Sequence, residues 1–327
     1  MPHRGRPVHW TLHLPATQTP VQFLFKGFSF VALFGGLMLL SSLSTGTPHS
    51  RQKRTIGGQV FPRGKWPSLV LLKGKVFERN WYKFTIKTAI CGGVLINRQW
   101  ILTAAHCFKD QSGVGFGEAQ NWKANLGAVD DSTPDHNKLP NEMGCTHGND
   151  ELREWELDID KIVLHSRWSP INNTKSFFKN DIALIKLSRP APDVYTVQPI
   201  ALPSWTNKNF PYEGQMCTTM GWGCTTPGGD ASPRAMEIQV PIISTRSCAN
   251  MFRGINLKKN FCAGYDSYKI KRNTCKGDSG GPLLCTSGSQ YTLAGIVQGG
   301  ETTYFGSKPT VFARVQHYLP WIHSVIA

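Results

Sequence analysis

Residues 274–282 read TCKGDSGGP, which places Ser279 between an acid and two glycines, with a further glycine two positions before it. Glycine loses more backbone freedom on folding than any other residue, so this density disfavours helix and strand alike. It implies a turn whose geometry leaves no room for side chains. A serine hydroxyl is a weak nucleophile until a base takes its proton, and the base needs a partner that holds its tautomer. Two candidates precede it: His106 in TAAHC and Asp181 in NDIALIKL. Singly, each has a plainer reading, as a core-facing histidine, a strand-initiating aspartate and a turn serine. As a set they describe nucleophilic catalysis, with a hydroxyl to attack, an imidazole to carry the proton and a carboxylate to orient the imidazole.

The elements that must position these groups read as strands. Val94–Ile96, Trp100–Leu102, Ile182–Leu187, Leu293–Val297 and Val311–Val315 are short, rich in β-branched residues and bounded by turn residues. His106 follows one such run and Asp181 opens another. The 32 glycines and 21 prolines are scattered along 327 residues, which suits many short strands joined by turns and predicts an all-β body. With 40% of residues hydrophobic and 17% charged, a sizeable core can form and disorder over most of the length is excluded. Only the C-terminus reads as helix, with Val315, Tyr318, Leu319, Ile322 and Ile326 on one face; Pro320 then requires the first turn to begin near it. Residues 108–160 form a long Gly-, Asn- and Asp-rich stretch ending in the acidic NDELREWELDID.

The first 54 residues stand apart. FSFVALFGGLMLL at 28–40 is a 13-residue apolar run after a basic stretch and before small residues, the order of a secretory signal. We expect a leader with signal peptide over 1–44, with a retained type II membrane anchor as the alternative. A propeptide over 45–54 ends in RQKR, and the Gly-Gly pair and strand-like sequence that follow make Arg54–Thr55 the expected maturation cut. Its cutter would be a convertase-like protease that reads basic pairs. Secretion in turn makes the nine cysteines disulfide material, with at least one left over, and makes Asn172, in the sequon Asn172–Asn173–Thr174, a glycosylation candidate. The formal charge of +15 falls by six, to +9, once the basic residues of the first 54 positions are gone, and no long basic block remains in the body. Nucleic acid is not an expected partner, and a membrane is one only if the leader is kept.

His, then Asp, then Ser, each inside its own local signature, resembles the chymotrypsin–trypsin family of serine endopeptidases. The likeness runs over residues 55–327 and includes TIGG at its start, GWG at 221–223, GIV at 295–297 and KPTVFARV at 308–315. The resemblance implies two six-stranded antiparallel β-barrels packed together with a C-terminal helix. It implies His106 as general base and then acid, Asp181 as its orienting partner and Ser279 as nucleophile. The N–H groups of Gly277 and Ser279 would form the oxyanion hole, and Asp278 would move inward to pair with the α-amine released at Thr55. Three disulfides are implied: Cys91–Cys107, Cys217–Cys285 and Cys248–Cys262. For the remaining cysteines, Cys145–Cys224 and Cys224–Cys275 both stay open. Protein or peptide substrates and protein inhibitors are the implied partners, in the extracellular space, with no cofactor and no metal. Glu142, Asp150, Glu151 and Glu154 match no metal-ligand spacing.

Departures from the family pattern shape the rest. Thr55 stands where Ile or Val is usual, Gln298 where a serine bonds the catalytic aspartate, and Gly299 where a tryptophan walls the cleft. His106 and Asp181 are 75 residues apart, longer than the family norm. The specificity pocket would be floored by Asn273, in place of the aspartate of trypsin-like enzymes, and walled by Gly300 and Thr310. Without a buried carboxylate an Arg or Lys side chain would be left unpaired at high cost. The expectation is a small or medium uncharged residue before the cut bond, elastase-like ahead of chymotrypsin-like. The other class kept open is a protease-fold binding protein with decayed catalysis.

Overall fold

Short extended segments with buried apolar side chains dominate the chain from Gln59 onward. In a computed structural model, the described residues are 58–79, 84–108, 116–130, 154–169, 179–226, 228–265, 272–299 and 308–327. The expected leader and propeptide, Arg54, Thr55, Glu142, Cys145, Asp150, Glu151, Asn172 and Gly300 lie outside them.

The strands are β1 (Gln59–Val60), β2 (Leu69–Arg79), β3 (Phe84–Asn97), β4 (Trp100–Thr103), β5 (Trp122–Leu126), β6 (Trp155–Leu164), β7 (Ala183–Leu187), β8 (Met216–Gly221), β9 (Met236–Pro241), β10 (Asn260–Ala263), β11 (Pro282–Ser287), β12 (Gln290–Gly299) and β13 (Thr310–Arg314). Six of them close a barrel in the order β2-β3-β4-β7-β6-β5, with β5 returning to β2 through Val70↔Leu126. Leu71, Leu72, Leu95, Ile101, Leu102, Leu126 and Leu157 are fully buried there. At about 25 cal/mol per Å² of apolar area removed from water, such side chains contribute roughly 1.5–3 kcal/mol each.

The other strands form a sheet in the order β1-β9-β8-β11-β12-β13-β10. Its ends approach through the bridge Ile242↔Ala263, flanked by Ile243 N–H to Cys262 O at 2.9 Å and Gly264 N–H to Pro241 O at 3.0 Å. A second six-stranded, barrel-like unit results, with β1 as a short addition on β9. Phe210, Ile238, Phe261, Leu283, Val297 and Phe312 fill it. All named strand pairs are antiparallel, and the fold is the all-β double barrel with a C-terminal helix.

Helices differ from expectation in two places. The C-terminal helix α2 (Val315–Ile326) starts five residues before Pro320, not near it. Burial of Val315, Tyr318, Leu319 and Ile322 holds the first turn despite the missing proline N–H. A second helix, α1 (Thr245–Met251), precedes it in the chain; Ser244 caps it by accepting the Ser247 N–H at 3.1 Å. At seven residues it is too short for periodicity to reveal.

One carboxylate fastens the start of the described chain to the second barrel. Glu237 on β9, 5% exposed, accepts from Trp66 Nε1 at 2.6 Å, Gln59 Nε2 at 2.9 Å and Lys65 Nζ at 2.5 Å. Burial pushes its pKa up, but the three donors outweigh burial and leave it below the ordinary glutamate value. With a depressed folded pKa, its stabilising contribution is present above the unfolded value and is lost as pH falls through the folded one. Glu237→Gln is expected to destabilise the protein at neutral pH by about 1–3 kcal/mol and to flatten the acid limb of stability against pH, as read by urea unfolding.

Candidate active site

His106 sits in a single 3-10 turn, Ala105–Cys107, directly after β4. Asp181 lies just before β7, and β4 pairs with β7 through Thr103↔Ala183, so neighbouring strand ends bring the two residues together. The Cys91–Cys107 disulfide ties the turn back to β3. Asp181 is fully buried, and both of its oxygens are engaged by His106. The His106 backbone N–H donates to Oδ1 at 2.8 Å, and ring Nδ1 lies 2.7 Å from Oδ2. An ionised carboxylate only accepts, so Nδ1 carries the proton and Nε2 is left with a lone pair. Burial lowers the imidazole pKa, but the charge and hydrogen bond of Asp181 together outweigh it, and the net shift is upward.

Gln298 does not bond the Asp181 carboxylate as a serine at its position would. Its Nε2 donates instead to the Asp181 backbone carbonyl at 3.2 Å, while its Oε1 accepts from Asn260 Nδ2 at 2.6 Å. Asn260 escapes sequence reading because no local pattern links it to residue 298.

Ser279, partly exposed, belongs to a turn that is hydrogen-bonded to both barrels. Its carbonyl accepts the Gly92 N–H of β3 at 2.7 Å, while Gly280 N–H donates to Val297 O and Val297 N–H to Gly281 O, both at 2.9 Å. Gly280 has φ +77°, and a Cβ there would lie 2.2 Å from Thr103 Oγ1 and 2.5 Å from Gly92 O. Only glycine lets the serine turn press against the end of β4, three residues before His106. Within the turn, the N–H groups of Cys275, Asp278, Gly280 and Gly281 all have acceptors. Among the described residues, none takes the N–H of Gly277 or of Ser279. Two donors are thus available beside the hydroxyl.

Asp278 corrects one expectation. In the intact chain its side chain already points inward, 3% exposed, so release of an α-amine is not needed to bring it in. Gly223 N–H donates to Oδ1 at 2.7 Å and Cys275 N–H to Oδ2 at 2.8 Å. The cleft exists because Gly221 and Gly223 lack side chains; a Cβ at either would fall within 2.4 Å of a carboxylate oxygen. Neither donor is a cation. Burial raises the pKa from 3.8 to about 6, and the two backbone hydrogen bonds offset only part of that rise.

Of the predicted pocket residues, Asn273 and Thr310 are described, and they are linked through their neighbours. Asn273, 2% exposed, donates to Lys308 O at 2.9 Å, and the Thr274 and Thr310 hydroxyls are 2.7 Å apart. None of these side chains carries a charge. Among the described residues four disulfides occur: Cys91–Cys107, Cys217–Cys285, Cys248–Cys262 and Cys224–Cys275, the last being one of the two pairings the sequence leaves open. Glu154, from the acidic stretch, pairs with Arg63 at 2.5 Å.

A family model described as Trypsin matches residues 55–322. The chain is also similar to the Drosophila melanogaster protein named serine protease filzig, with 31% identity over 284 residues, covering 85% of this chain. It spans about 15% of that fly protein's length.

For an acid whose folded pKa is raised, the fold favours the neutral form. The cost of charge is full above the folded value, near 6, and gone below the unfolded value, 3.8. A rise of about two units corresponds to about 3 kcal/mol. The intact chain is therefore expected to gain stability relative to its Asp278→Asn variant as pH falls from 7 toward 4, by up to about 3 kcal/mol in denaturant titrations.

Proposed function

The chain belongs to the trypsin family of serine proteases, and on that premise we propose that it is a secreted endopeptidase made as a zymogen, with Ser279 as nucleophile, His106 as base and Asp181 as the partner that orients it. The observation that carries this reading is the double engagement of buried Asp181 by His106, which fixes the tautomer with the proton on Nδ1 and the basic lone pair on Nε2. In the proposed reaction His106 Nε2 takes the Ser279 proton as Oγ attacks the scissile carbonyl. The N–H groups of Gly277 and Ser279 receive the oxyanion, each typically worth about 2.7–4 kcal/mol in such sites. The imidazolium, stabilised by Asp181, gives its proton to the leaving amine. Water then repeats the sequence on the acyl-enzyme.

Activation follows from the electrostatics of Asp278. Among the described residues the buried carboxylate has two neutral N–H donors, which offset only part of the cost of its charge, and an α-amine at Thr55 would supply a cation. The family match begins at Thr55, directly after the RQKR run, which supports a cut there by a convertase-like protease. Secretion is supported by the signal-like leader and by the four disulfides, which persist in oxidising compartments. Among the described residues no helix is long and apolar enough to cross a membrane, and the leader lies outside them. Asn273 and Thr310, neutral and already hydrogen-bonded, support a small or medium uncharged residue before the scissile bond. Protein substrates follow from the family, and we propose protein inhibitors and a convertase-like activating protease as further partners.

Protein cut after Arg54 is expected to take a fluorophosphonate label on Ser279, and the Ser279→Ala form is not. Correctly cut protein that resists labelling would favour the binding-protein reading instead. Across a substrate library varied at the residue before the cut bond, alanyl to leucyl substrates are expected to turn over faster than arginyl ones; rapid arginyl turnover overturns the pocket assignment. Because His106 must be neutral to accept a proton and its pKa is raised, the rising limb of kcat/KM against pH is expected to have its midpoint above the ordinary imidazole value of about 6.5.

A further inference from the structure

Strand pairing between β12 and β13 runs Val297↔Phe312 and then Gly299↔Val311, so Gln298 is the extra residue of a bulge. Bulges re-aim side chains beside sites, and this one sends a 4%-exposed carboxamide toward Asp181. A backbone carbonyl can only accept, so the amide nitrogen must face Asp181 O, and Oε1 must face a donor. Asn260 Nδ2 supplies that donor at 2.6 Å. Asn260 is itself buried and fixed, with its N–H on Asn256 O at 2.9 Å and its strand paired through Asn260↔Ala313.

The preceding residue acts on the neighbouring position of the other barrel. Lys259 Nζ donates to Asn180 Oδ1 at 2.7 Å, and Asn180 Nδ2 donates to Arg167 O at 2.6 Å. Asn180 holds φ +50°, a left-handed conformation that asparagine adopts only at some cost and that its side-chain bonds help to maintain. Consecutive residues at the head of β10 thus reach consecutive residues ahead of β7: Lys259 to Asn180 directly, and Asn260 to Asp181 through Gln298. We infer that Lys259, Asn260 and Gln298 are positioning residues, a clamp from the second barrel that fixes the main chain at 180–181 and thereby the separation between the Asp181 carboxylate and His106.

The inference rests on the reading of Asp181 as the partner of His106. It assigns to Gln298 the work of a shorter hydroxyl residue by a different route, through the backbone and not the carboxylate. Removing the amide leaves residue 181 without its own tie to the second barrel, held by His106 and, one residue away, by the Lys259–Asn180 bond. The carboxylate then drifts from the ring, and displacement by about 1 Å costs on the order of 100-fold in turnover. The titratable groups near this pair are few. Tyr318 of α2 is raised by burial and then by the Asp181 charge, far above the working range. His165 and His317 are lowered by burial and then by the surrounding cations, Arg167 and Lys259 among them. Their titrations fall on the acid side of that of His106.

The test uses Gln298→Met and Asn260→Leu, each close to isosteric, in protein cut after Arg54. In the Ser279→Ala background, NMR follows the His106 imidazole through its titration, independently of activity. Both variants are expected to lower the His106 midpoint relative to the parent. With Ser279 present, they are expected to slow fluorophosphonate labelling by about tenfold or more, and to lower kcat with little change in KM. An unchanged midpoint with labelling within about twofold of the parent overturns the clamp, even if thermal stability drops, because a merely structural role would do only that. Should Gln298→Met fail to fold, Asn260→Leu and Lys259→Met give the same readouts one step further from Asp181. A parent that does not label refutes the enzyme reading, while the His106 titration still decides the clamp.

Discussion

A carboxylate with no solvent exposure must have every lone pair spoken for, and Asp181 meets that demand largely through a single neighbour, His106. The backbone N–H and the ring N–H of one residue hold the two oxygens, so the imidazole is fixed in position as well as in tautomer. Much of the first barrel serves that geometry. β4 and β7 must be adjacent for the two residues to meet, the turn after β4 must be tight, and the Cys91–Cys107 bridge must stop it from opening. A flexible version of the same three groups would spend its stabilisation on ordering them.

The second barrel carries the serine, and beside that residue it meets the first barrel through main chain. Gly92, Gly280 and Gly281 bring backbone against backbone, and hydrogen bonds run from the serine turn to β3 on one side and to β12 on the other. Each barrel therefore restrains the other's functional residue. The serine turn leans on the first barrel through Gly92, and the aspartate leans on the second through Gln298. Errors in barrel packing would therefore disturb the spacing between the proposed nucleophile and base. A glycine-lined seam, which cannot rotate through alternative rotamers, resists such errors.

Much of this was legible in the sequence, because the signals are local. The β-branched runs at Ile182–Leu187 and Val311–Val315 match β7 and β13 to within one residue, and Leu293–Val297 is the centre of the longer β12. Pro320 misled because propensity argues against proline five residues into a helix, whereas the buried face of α2 outweighs it. Helix α1 was missed for want of length. The partner of Cys224 could not be read because pairing depends on which loops meet, and spacing does not encode that. Gln298 looked like a defect for a similar reason. Its usefulness depends on a bulge in β12 and on Asn260 two strands away, neither of which leaves a mark near residue 298. The inward Asp278 reflects the same limit, since two absent side chains, at Gly221 and Gly223, create its cleft.

The bridge between Cys224 and Cys275 has a meaning beyond fastening two loops. The two N–H groups that solvate Asp278 belong to Gly223 and Cys275, one adjacent to a bridged cysteine and the other part of one. The sulfur link thus sets the spacing of the two dipoles that, among the described residues, solvate the acid. Thiol reduction would let those dipoles separate, and the buried charge would lose its solvation just where the serine turn begins. In the proposed enzyme, opening this one staple would loosen the serine turn without touching His106, Asp181 or Ser279.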